Sequence, residues 1–239
     1  MRHRAPLGLF DLDNTLIDLD AALHVWAEEF ATERALTTEA VDWLIALDRS
    51  DLPHRETFFG KVRERFGLPD PVEELWAAYR RRMPHLVHCR PEVLTGLTEL
   101  RATGWRVGIV TNGTADNQLG KIQRTGLAEV VDGYALSGIE GIRKPESELF
   151  KIAARRCGAS LTGEGWMVGD HLTKDIAGGR AAGLRTIWVD RDTCSDQDHQ
   201  ADHVVTDVID VIDAIAILRE REKPRHETGA EDGRGQITR

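Results

Sequence analysis

Cysteine is scarce in this chain, and the three that occur, Cys89, Cys157 and Cys194, are odd in number and widely spaced. They form neither a disulfide framework nor a Cys-x-x-Cys metal site, so reduced thiols in a cytosolic protein are the expectation. Long apolar runs are missing as well. No segment approaches the roughly twenty apolar residues that a membrane-spanning helix needs. The apolar stretch at residues 5–10, behind the basic Met1-Arg2-His3-Arg4, is too short for an export signal and runs straight into two aspartates. Positive charge is also in deficit: 31 Lys and Arg against 40 Asp and Glu give a formal net charge of −9. That is the wrong balance for neutralising the phosphates of nucleic acid. These absences point to a cytoplasmic protein that acts on small molecules, with no nucleic acid and no membrane among its partners.

What is present is enough apolar material, 41% of 239 residues, to bury a full core and more than one compact unit. Short apolar runs that end in polar or Gly-rich residues recur at 7–10, 106–110, 133–136, 166–168, 185–189 and 203–205. Runs so continuous suit parallel strands buried on both faces. Stretches of helical period lie between them, at 91–103, 116–125, 146–157, 175–182 and 207–218. The alternation predicts an α/β fold, a doubly wound parallel (Rossmann-like) sheet.

Between the first strand and the second no convincing strand occurs. Leu23, Trp26, Ala27 and Phe30 fall on one helix face, Val41, Leu44 and Ile45 on a second. Two further apolar sets, Phe58, Phe59, Val62, Phe66 and Val72, Leu75, Trp76, Tyr79, are separated by a turn at Gly67 and the Pro69/Pro71 pair. The organisation expected is therefore a core of residues 1–18 and 88–220, an inserted four-helix cap at 19–87, and a disordered tail at 221–239, where apolar residues are nearly absent.

Ligands of an open parallel sheet bind outside the carboxyl ends of the strands, and four strand-end or loop segments carry candidate groups. Asp11 and Asp13, two residues apart, repel each other unless a cation neutralises them, though they could equally start a turn or cap a helix. Thr111-Asn112-Gly113 offers a hydroxyl, an amide and free N–H groups for an anion, or else an ordinary Asn-Gly turn. Lys144-Pro145 alone would be a solvated lysine before a helix. Gly169-Asp170 is followed by His171 and Asp175; Asp175 could cap the next helix, and His171 could touch substrate or only face solvent.

In this order, Asp11-Leu12-Asp13-Asn14-Thr15, Thr111-Asn112, Lys144-Pro145 and Gly169-Asp170 with Asp175 resemble the four motifs of the haloacid dehalogenase-like (HAD) superfamily. The likeness covers roughly the first 220 residues, and the insert between the first two motifs resembles the family's type 1 helical cap. The resemblance implies a phosphatase that hydrolyses a small phosphate ester, with Asp11 as nucleophile forming an aspartyl-phosphate and Asp13 as acid and base. It implies a Mg²⁺ held by Asp11, the Asp13 carbonyl and Asp170, phosphate binding by Thr111, Asn112 and Lys144, and a supporting role for Asp175. Asp13 favours phosphate over halide chemistry, because a halide leaves without a proton. A phosphomutase or a haloacid dehalogenase using the same core remains an alternative, as does a HAD-like domain that binds without turnover. A homodimer is neither required nor excluded.

Substrate choice is expected in the cap, where Arg49, His54 and Arg55 on the loop between two predicted helices could read a second anionic or hydroxylated group. His85, His88 and Cys89 have a spacing compatible with zinc but no fourth ligand nearby, and Arg80-Arg81-Arg82 suits a helix C-terminus.

Overall fold

Residues 5–50, 52, 54–161, 165–191 and 199–212 are described by a computed structural model of the chain. Strand β1 (Leu7–Phe10), four residues buried on both faces, is flanked on both sides by parallel partners, β2 (Arg106–Thr111) and β4 (Gly165–Gly169). With β3 (Gly133–Leu136), β5 (Arg185–Val189) and β6 (His203–Val205), they make a six-stranded sheet in the order β3-β2-β1-β4-β5-β6. The chain winds outward on one side of β1, then returns to its other side. That reversal leaves a crevice at the carboxyl end of β1, which is where such sheets bind ligands.

The stretch between β1 and β2 is helical, as its periodicity predicts: α1 (Leu19–Glu33), α2 (Thr38–Arg49), α3 (Arg55–Phe66) and α4 (Val72–Arg82), followed by a 3₁₀ turn over Met83–His85 and then α5 (Pro91–Ala102). The predicted apolar faces meet. Trp26 lies 5.0 Å from Phe30, 5.0 Å from Tyr79 and 6.0 Å from Phe59, ring centroid to centroid. Edge-on and tilted pairs of this kind add about 0.5–1.5 kcal/mol each beyond their buried area. α3 stops where Gly67 takes a left-handed conformation, φ 61°.

Crossovers cover the sheet with α6 (Ala115–Arg124), α7 (Leu127–Val130), α8 (Ser137–Glu140), α9 (Ser147–Arg156) and α10 (Gly178–Ala181). Neither α7 nor α8 is expected from sequence, because one turn carries too little periodicity to detect. The helix expected at 175–182 is corrected. A wide π-type turn spans Leu172–Ala177, with the Ile176 N–H bonded to the His171 carbonyl, and regular helix begins only at Gly178. Of the helix expected at 207–218, residues 208–212 are helical and Asp207 precedes them as loop; 213–218, like the tail at 221–239 and Cys194, lie outside the described residues. No described helix is long and apolar enough to cross a membrane.

Candidate active site

The first strand delivers Asp11 directly to the crevice: its N–H continues the ladder to the Val168 carbonyl at 2.8 Å while its carboxylate is buried beyond the strand end. Lys144, equally buried, places Nζ 2.5 Å from Asp11 Oδ1 and 2.7 Å from Asp175 Oδ1. Asp175 is fully enclosed, and its second oxygen accepts from the His171 N–H at 3.1 Å. It fits only because position 169 is glycine, where an added Cβ would lie 2.4 Å from the Asp175 carboxyl carbon. The capping residue of the turn is instead His171, whose Nδ1 accepts from the N–H groups of Thr173 and Lys174 at 3.2 and 3.3 Å. So Asp175 orients the lysine, and the imidazole read as a candidate substrate contact is occupied on one nitrogen in shaping the turn.

Burial pushes the Asp11 carboxyl up to about 7, a rise that Lys144 opposes and the charges of Asp175 and Asp13 reinforce. Asp170 is raised well above the usual carboxylate range, by burial first and then by Asp11 and Asp175. For Lys144 burial works against the ammonium, but the two carboxylates beside it outweigh that and hold it above its ordinary value. Oxygens of Asp11, Asp170 and Asp175 all lie within 4.8 Å of one another. An all-oxygen donor set this crowded suits a hard divalent cation such as Mg²⁺. Both Asp175 oxygens are engaged, Oδ1 with Lys144 and Oδ2 with the His171 N–H, which leaves Asp170 and the second oxygen of Asp11 as side-chain donors; the Asp170 backbone is held by the Trp188 indole N–H at 2.8 Å.

Beside the acids, Thr111 is the last residue of β2, and Asn112 begins the loop after it. The Asn112 amide clasps the Lys144 backbone in both directions, Nδ2 to the carbonyl at 3.1 Å and Oδ1 from the N–H at 2.9 Å. Two of the predicted motifs are thus tied together. Asp13 is gripped by two residues of α6 that the sequence reading missed: Gln118 Nε2 donates to Oδ2 at 2.9 Å and Lys121 Nζ to Oδ1 at 2.7 Å.

Asp11, Asp13, Thr111, Asn112, Lys144, Asp170 and Asp175 all line one cavity of about 550 Å³. Its far wall comes from the helical insert. His54 and Arg55 line it, with Arg55 paired to Asp48 and its guanidinium 5.2 Å from the ring centroids of both Phe58 and Tyr79. Arg49 does not line it: as the last residue of α2 it is exposed to solvent, which corrects its expected place beside His54 and Arg55. Among the described residues the acid cluster is the one group close enough to hold a metal, and His85, His88 and Cys89 do not converge.

A family model described as haloacid dehalogenase-like hydrolase matches residues 8–183. The chain belongs to that family. Among HAD relatives it is 36% identical over 179 residues to a phosphoserine phosphatase of Thermus thermophilus, covering 72% of this chain and 70% of that one. It is 26% identical to a glyceraldehyde 3-phosphate phosphatase of Pyrococcus furiosus over 95% of this chain and all of the other. The HAD-hydrolase YfnB of Bacillus subtilis, solved with magnesium, superposes with a TM-score of 0.75 at 22% identity, over 89% of this chain and 99% of its own. HAD membership accounts for the order in which the strand-end residues occur; it does not by itself assign their roles in this chain.

Proposed function

We propose that the chain is a Mg²⁺-dependent phosphatase that hydrolyses a small phosphate monoester through an aspartyl-phosphate on Asp11. The observation that carries the reading is the second acid, Asp13, lining the same cavity as the Asp11–Lys144–Asp175 array. In this reading an Asp11 carboxylate oxygen attacks phosphorus while Asp13 gives its proton to the departing ester oxygen. Asp13 then takes a proton from water, whose oxygen attacks the same phosphorus and frees Asp11 and inorganic phosphate. Thr111 and the Asn112 N–H hold phosphoryl oxygens, and Lys144 offsets charge on both nucleophile and phosphate. Asp11, Asp170 and the Asp13 carbonyl would hold the Mg²⁺, whose chemistry is to neutralise the approach of carboxylate to phosphate.

The leaving group faces His54 and Arg55, which we read as specificity residues for a second polar or anionic group. The named substrates of the Thermus and Pyrococcus relatives, phosphoserine and glyceraldehyde 3-phosphate, are three-carbon esters of that kind. The acidic net charge and the free thiols of Cys89 and Cys157 support a cytoplasmic setting. Phosphate release measured over a panel of phosphorylated metabolites with Mg²⁺, beside Asp11→Asn, tests the reading. Release by the native chain and none by the variant is the expected result; equal release by both removes Asp11 as nucleophile, and no release by the native chain removes the phosphatase.

A further inference from the structure

The inner face of α6 buries Asn117, Gln118 and Lys121 alongside Ile122, where a core-facing helix would ordinarily present an apolar stripe. Lys121 is 2% exposed, yet a lysine in such a place costs several kcal/mol of desolvation that its ion pair does no more than offset. For stability alone a methionine or leucine would serve as well. The polar face is explained by what it touches. Gln118 and Lys121 each hold one oxygen of the Asp13 carboxylate, at 2.9 and 2.7 Å, so the group is fixed against rotation.

Gln118 makes a second bond from the same nitrogen, to Thr111 Oγ1 at 2.7 Å. A primary amide nitrogen has two hydrogens, so both bonds coexist. Because the Thr111 oxygen accepts from Gln118, its own O–H stays available as a donor. One side chain therefore sets both Asp13 and Thr111. The loop accommodates it through Gly113, where a Cβ would lie 2.7 Å from Gln118 Cγ. From behind, the helix is seated on the segment leaving α4: a Cβ at Gly120 would lie 2.9 Å from Pro84 Cγ.

We propose that Gln118 and Lys121 are positioning residues for the proton transfer to the leaving group, acting through Asp13, with Gln118 locking that acid to the phosphate-binding Thr111. The inference rests on the phosphatase reading. It separates two kinds of ester. An alkyl alcohol must be protonated as it departs, whereas p-nitrophenolate leaves as a stable anion with little need of an acid. Since kcat/KM covers events up to the first irreversible step, it reports this proton transfer without the later hydrolysis of the phosphoenzyme.

The test is kcat/KM of the full chain with Mg²⁺ for glycerol phosphate and for p-nitrophenyl phosphate, in the native protein, Lys121→Met and Gln118→Leu. A positioned general acid contributes roughly 10²–10⁴-fold. We expect glycerol phosphate to lose about 10²-fold and p-nitrophenyl phosphate to fall far less. Lys121→Arg, which keeps the charge, should recover part of the difference. Equal losses on both esters would reduce the pair to structural support, and no loss on either would remove any role; both outcomes overturn the proposal. Should circular dichroism show Lys121→Met unfolded, the same ratio in Gln118→Leu decides. A native chain inactive on both esters and on the wider metabolite panel fails the phosphatase reading itself, whereas an active native chain with an unchanged ratio in the variants fails this inference alone.

Discussion

Asp11 illustrates how far one carboxylate can be moved by its surroundings, since burial alone would leave it protonated near neutral pH and Lys144 only partly restores its charge. A cation bound through Asp11 and Asp170 needs both ionised, so binding must release protons whenever they start protonated. Both are raised, Asp11 to about 7, so the sign is fixed: affinity for Mg²⁺ weakens as pH falls through about 7 and below. Isothermal titration at pH 6 in buffers of different ionisation enthalpy should show proton release, and less of it per bound ion in Asp11→Asn, where only Asp170 is left to deprotonate. Gly169 makes a second prediction at this scale. Its missing Cβ is what lets Asp175 sit against the strand, so Gly169→Ala forces the carboxylate away from Lys144 and should cost about 1–3 kcal/mol, as overpacking does. Thermal unfolding measures it, and activity should fall further than stability.

The turn that carries the motif onward from β1 is held by Asn14, which takes a left-handed conformation, φ 59°, and accepts from the N–H groups of Leu19 and Asp20 at 3.0 and 3.1 Å. Asparagine tolerates this backbone better than other side chains, and here it also satisfies free donors at the start of α1. Asn14→Ala should therefore lose about 1 kcal/mol for the cap, while Asn14→Gly, which relieves the backbone, should lose less; chemical denaturation of the two variants distinguishes the causes. Elements of this kind mark what the sequence makes legible. Strands β1 and β4 are nearly continuous apolar runs, so both their existence and the acids just beyond them, Asp11 and Asp170, could be read directly. The turn after Asp170 is not legible, because Thr173, Lys174 and Asp175 look like a helix start, while the five-residue bonding of Ile176 back to His171 leaves no periodic trace. Gln118 and Lys121 were legible in part. Their spacing of three on one helix face, with no apolar residue in their place, is a signal, but only a fold that sets α6 beside Asp13 tells what it means.

If Mg²⁺ is held as proposed, through groups brought together from β1 and the end of β4, it should stabilise the whole molecule by mass action. At one hundred times its dissociation constant the gain is about 2.7 kcal/mol. For a protein of this size that is roughly 5–10 °C in midpoint, and it should vanish with a chelator in differential scanning calorimetry. In Asp170→Asn the ion should shift the midpoint far less. The sheet order carries one consequence for synthesis. Among the described strands β1 precedes the other five in the chain and yet sits in the middle of the finished sheet, between β2 and β4. At roughly 5–20 residues per second a ribosome delivers Gly165–Gly169 some ten to thirty seconds after Leu7–Phe10. For that interval a strand apolar on both faces has no mate on one side, while the helices of the insert are already complete and able to fold. A nascent chain of this design is most open to chaperones at β1, and the acid cluster of Asp11, Asp170 and Asp175 can assemble only after β4 emerges.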